Sequence, residues 1–187
     1  LKHTCICRNA AWALSNLTRG VTTSGWEFCG DSSLLTPVLL ASVLSSPEQH
    51  VSATVKSTWW QTVANEACWI LAFLTAREDQ VVDYLIQPSN ELLWLLPNKQ
   101  FVVVASLAHR LDEASKAVVS NNTRELTETQ LQALRMTIPC LRSIGNIATA
   151  SQGRHVDILV QQSSIVTSLV TLIQAGYMTT NGDVQAV

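Results

Sequence analysis

The chain has 187 residues, enough for one ordinary domain or a stretch of a repeat array. Hydrophobic residues make up 47% and charged residues 14%, so much of the chain must be buried; a net charge of -2 gives no electrostatic case for nucleic acid or an anionic membrane surface. Seven glycines and five prolines are too few for the many tight turns of an all-β fold. Five scattered cysteines suggest no disulfide framework and favour a reducing compartment. No run of eighteen apolar residues, initiator methionine or signal peptide can be read, and the first residues already resemble helix interior, as expected of a piece of a longer protein.

In chain order, RNAAWALSNLTRG at 8–20 reads as an alanine-rich helix with Trp12, Asn16 and Arg19 on one face, at offsets of four and seven. Leu34–Leu44 reads as a compact apolar helix and Ser45–Thr58 as a polar loop. A second helix carries NEACWILAFLTA at 65–76. Glu78–Ile86 is a short helix stopped by Pro88, and Leu92–Leu111 contains a longer one starting near Pro97. Ser120–Thr129, with NNT and several charges, reads as a loop. Leu131–Ala150 forms a third helix of the first kind, containing PCLRSIGNIATA. Val156–Val160 is short, and Ile165–Gln174 is longer and stopped by Gly176.

Three of these helices share one design. Aligned on Trp12, Trp69 and Arg142, they place Ala10, Ala67 and Cys140 two residues before, and Leu14, Leu71 and Ile144 two after. Leu17, Leu74 and Ile147 follow five after. At 100° per residue these positions lie roughly 140–200° from the reference, so they form an inward apolar face. The small residues Ser15, Ala72 and Gly145 stand three after, where a neighbouring helix can approach closely. Asn16, Phe73 and Asn146 return to the reference face. Repetition of one two-faced helix marks a solenoid. The reference residues stand farther apart than the ~40–47 residues of armadillo or HEAT units, so insertions are expected, near 45–60 and 112–130. Each unit reads short helix, longer helix, two-faced helix, which is the three-helix armadillo plan.

RNAAWALSNLTRG, NEACWILAFLTA and PCLRSIGNIATA resemble the third helices of armadillo repeats in the importin-α family, the adaptors of nuclear import. Their order also matches the middle of that array: a Trp/Asn repeat, a Trp/aromatic repeat, then a repeat with Arg in place of Trp. GDVQAV at the end resembles the start of another third helix. The resemblance implies an all-α, right-handed superhelical armadillo-repeat solenoid over residues 1–187, with about three to four repeats, incomplete at both ends. It further implies a concave groove that holds a basic nuclear localisation signal in extended form, with no chemistry and no cofactor. Asn side chains would hydrogen-bond the peptide backbone, and aliphatic stems of Lys and Arg would slot between Trp rings. By this resemblance Trp12 and Asn16 form the inner rung of the major site, Asn9 is a groove asparagine and Arg19 borders it. Trp69 is the next wall, Glu66 faces basic side chains, and Phe73 stands where the family often has Tyr. Arg142 and Asn146 begin the minor site, with Thr149 at its edge. Partners would be basic signal peptides, with an importin-β-like carrier and an export factor bound through regions outside this chain. Cytoplasm and nucleus would be the compartments. The alternative is an armadillo scaffold of the β-catenin-like or cytoskeletal kind, which uses the groove for other ligands.

Plainer roles stand beside these. Trp69 with Phe73 also fits a buried seam. Arg142 also fits an ion pair, Glu66 a charge favoured near a helix start, and Arg19 one favoured near a helix end. His3, Cys5 and Cys7 lack the fourth ligand of a structural zinc site, and small core cysteines explain HTCIC more simply. The glycosylation patterns NLT at 16–18 and NNT at 121–123 read as chance. No nucleophile elbow, phosphate loop or His-Glu-x-x-His occurs, so no motif supports an enzyme. Trp59 and Trp60 match no repeat position.

Overall fold

The computed structural model describes residues 2–20, 58–87, 101–119 and 128–175, and every described element is a helix. The expected helix at Leu34–Leu44, the loop at 45–57, the loop at 120–127, the stop at Gly176 and Cys29 lie outside the described residues. The helices are α1 (Lys2–Gly20), α2 (Thr58–Thr75), α3 (Asp79–Leu85), α4 (Val102–Val119), α5 (Glu128–Arg135), α6 (Thr137–Thr149), α7 (Val156–Gln161) and α8 (Ser163–Gln174). A short 3₁₀ segment, Ala150–Gly153, joins α6 to α7. None of the described helices is long and apolar enough to cross a membrane.

The helices stack in rows. The three two-faced helices lie side by side, with α2 packed against α1 and against α6. Behind them α4 packs on α6 and on α8. The short α3 meets the 3₁₀ segment and the start of α7, where Asp83 binds Arg154 and His155. Thus α1, α2 and α6 form one layer, and α4 with α8 form a second beside it.

One apolar core runs behind the two-faced row. Leu71 and Leu74 of α2, Leu107 and Leu111 of α4, Ile147 of α6 and Leu172 of α8 are fully enclosed in it. Burying a side chain of this size contributes ~1.5–3 kcal/mol. The beginning of α4 is buried all round, from Val102 to Ala108, as befits a helix with neighbours on several sides. This helix continues to Val119, well past Leu111, so residues 112–119 are helical. Thr58, Glu128 and Thr129, expected in loops, instead open α2 and α5, and Trp59 and Trp60 lie in the first turn of α2.

The expected single helix from Leu131 to Ala150 is divided at Met136. Pro139 has no N–H to donate to the carbonyl of Arg135, and its ring crowds that carbonyl. The ladder restarts with Cys140 N–H donating to Met136 O at 3.1 Å. Pro139 thus sits in the first turn of α6, where a missing donor costs nothing.

The apolar face of α1 departs from expectation. Leu17 is 60% exposed and Leu14 only half-buried. The contact with α2 runs instead through Ser15 and Thr18, which are buried. Cys5 and Cys7 are exposed rather than core residues, because this first part of α1 projects its side chains into solvent. Cys68 and Cys140 are the buried pair, with sulfurs 3.6 Å apart between α2 and α6. Their mutual hydrogen bond, followed by burial, pushes the Cys140 thiol well above the ordinary value.

Candidate functional site

The outer face of the α1–α2–α6 row carries the nine expected site residues, and none of them is buried. On α1 the indole of Trp12 is 61% exposed. One turn later, Asn16 Nδ2 donates to Trp12 O at 2.9 Å, and Arg19 Nη2 donates to Asn16 Oδ1 at 2.8 Å. The helical offsets thus become a chain of contacts that fixes the amide beside the indole. Asn9 is exposed at the N-terminal side of this row.

Glu66 sits half-buried on α2, and Ser15 Oγ of α1 donates to its Oε2. Expected to face basic side chains in the groove, this carboxylate has one oxygen committed to the α1–α2 joint. Ser15 also donates to Trp12 O at 3.0 Å, a geometry that ties the joint to the Trp12 turn. At the other end of the joint, Arg77 Nη2 donates to Thr18 O at 2.7 Å.

Trp69 and Phe73, one turn apart on α2, stack with ring centroids 5.6 Å apart and planes 25° apart. Both are half-buried, so neither a fully closed seam nor a free wall describes them. Arg142 reaches from α6 so that its guanidinium carbon lies 5.4 Å from the Trp69 ring centroid. Its contact is an indole, and among the described residues it has no carboxylate partner. Asn146 Nδ2 donates to Ala72 O and to Thr75 Oγ1, each at 3.2 Å. That nitrogen therefore bridges α6 to the end of α2. Thr149 is exposed and donates to Gly145 O and Asn146 O of its own helix.

No protein-family model, no curated protein and no solved structure matches this chain. What the face binds has to follow from its own chemistry. It offers an open indole at Trp12, an amide held beside it, a second indole covered by a guanidinium, and the exposed cations Arg19 and Arg142.

Sequence reasoning missed the joint between α3 and the turn after α6. Asp83 of α3 accepts from Arg154 Nη2 at 2.7 Å, from Ser151 Oγ at 3.3 Å, and binds His155 Nε2 at 2.6 Å. Asp79 Oδ2 accepts from Ser151 N–H at 2.8 Å. Burial of Asp83 works to raise its carboxyl, but the hydrogen bonds and charges of Arg154 and His155 outweigh it and hold it below its ordinary value. The joint clamps a turn of three left-handed residues, Ser151 (φ 49°), Gln152 (φ 60°) and Gly153 (φ 82°), directly after α6. The signal was one turn of Asp spacing on α3 facing a distant Arg-His pair; nothing local to either segment announces that they meet.

Proposed function

We propose that the chain is part of an armadillo solenoid whose α1–α2–α6 face binds basic nuclear localisation signals in extended form, as an adaptor of nuclear import. The observation that carries this is the Trp12–Asn16 unit: an indole left open to solvent with a hydrogen-bonding amide held one turn away. An exposed indole costs hydration unless a ligand covers it, and a lysine or arginine stem is an apt cover because its methylenes pack while its charge stays wet. The amide of Asn16 exchanges local partners for a peptide N–H or C=O at little net cost, since both of its hydrogen bonds are exposed. Stacking of α1, α2 and α6, and of α4 on α8, supports the solenoid reading, because in such arrays each unit meets its neighbours. On this reading the carrier and export partners engage regions outside the chain, and the protein works between cytoplasm and nucleus.

One observation favours the alternative of a scaffold with a different ligand. Among the described residues the exposed charges on this face are the cations Arg8, Arg19 and Arg142, while Glu66 is half-buried against Ser15. A basic face attracts acidic segments. Fluorescence anisotropy with a labelled lysine-rich peptide and a labelled glutamate-rich peptide of equal length separates the two. Preference for the lysine-rich peptide supports the import reading. Preference for the glutamate-rich one replaces it with the scaffold.

A further inference from the structure

We propose that Arg142 closes the Trp69 wall of the groove, making it a specificity-determining residue: the face takes a ligand cation at Trp12 and rejects one at Trp69. This rests on the peptide-binding reading above and adds to it which indole does the selecting.

Arg142 emerges from α6 and crosses to α2, so its position over Trp69 reflects the stacking of two helices rather than spacing along one. At 5.4 Å from the ring centroid its guanidinium is within the ~6 Å range of cation–π attraction. It is exposed, and among the described residues no carboxylate pairs with it and draws it from the ring. Phe73 stacks on Trp69 from within α2 and limits how far the indole can turn. The contact has the form a bound ligand arginine would take, and the protein itself already supplies the arginine.

A lysine or arginine from a ligand meets two obstacles at Trp69. The ring is occupied, and the occupant carries the same charge at contact distance, well inside the ~8 Å over which physiological salt screens charge. Among the described residues Trp12 meets neither obstacle. Its ring is 61% exposed, no cation covers it among the described residues, and the nearby Arg19 is turned to Asn16. Two indoles that look equivalent in sequence are therefore unequal in structure.

The test compares the unaltered 187-residue chain with Arg142→Ala, an exposed change that leaves the core intact. Two probes are used: a labelled lysine-rich peptide read by anisotropy, and methylguanidinium chloride titrated while the indole N–H signals are followed by NMR, with Trp69→Phe assigning the Trp69 signal. With Arg142→Ala, peptide affinity should rise about two- to fivefold, the equivalent of one exposed cation–π contact. The Trp69 signal should respond to methylguanidinium at lower concentration than in the unaltered chain, while the Trp12 signal responds alike in both. Equal Trp69 responses in the two chains overturn the closure, even where peptide binding itself is observed and the proposed function stands. Unequal responses with no peptide binding in either chain uphold the closure and sink the peptide reading instead.

Discussion

Replacing Asp83 by alanine should remove ~1–4 kcal/mol of unfolding free energy at neutral pH. Its ion pair with Arg154 is largely solvated, with side-chain exposures of 62% and 35%, and contributes about 0–1 kcal/mol. The larger part comes from His155, which is 7% exposed and loses the acceptor for its Nε2, at a cost of about 1–3 kcal/mol. Ser151 loses only a long hydrogen bond of 3.3 Å. Urea unfolding followed by far-UV circular dichroism measures the loss, with Asp83→Asn expected to fall between the two because it keeps one acceptor oxygen. The sign of the pH dependence is fixed by the carboxyl, which is held below its ordinary 3.8 in the folded chain. A lowered folded value stabilises above the unfolded value and is lost as pH falls through the folded one. The gap between the unaltered chain and Asp83→Ala should therefore be full above the ordinary carboxyl range and shrink below 3.8. A loss under about 0.5 kcal/mol, the scatter of ordinary surface changes, would refute the joint as a fastening between α3 and the turn after α6.

Other substitutions separate packing from the face. Ile147→Ala opens a fully enclosed position on α6 and should cost ~2–5 kcal/mol in the same unfolding assay. Gly153→Ala places a side chain at φ 82° and should cost ~1–2 kcal/mol. Asn146→Ala removes the bridge to Ala72 and Thr75 and should cost about 1 kcal/mol, read as a lowered urea midpoint at unchanged slope. Trp12→Ala should leave stability within ~0.5 kcal/mol, because the indole is mostly exposed.

The helical periodicity made much of the architecture legible. Glu78–Ile86, Val156–Val160 and Ile165–Gln174 differ from α3, α7 and α8 by at most two residues at either end, because the apolar spacing of a short helix depends only on local chain chemistry. The two-faced pattern also placed Leu71, Leu74, Ile144 and Ile147 inside and Trp12 outside. What escaped it was directional. Periodicity assigns Glu66 and Asn146 to a face, but not the choice between solvent and a neighbouring helix, which depends on how closely Ser15 and Ala72 approach. The break at Met136 was written in Pro139, yet outweighed in sequence by the apolar repeat on either side. Asp83 with Arg154 and His155, and Arg142 with Trp69, are contacts between distant segments that no local window contains.

The most direct test is anisotropy of a labelled lysine-rich signal peptide against this chain, with Trp12→Ala and Asn16→Ala measured beside it under matched folding. Salt-sensitive binding that each substitution weakens several-fold, with stability unchanged, is the predicted result. Binding that both substitutions leave untouched, or none by the folded chain, would contradict the Trp12–Asn16 unit as a reader of basic peptides.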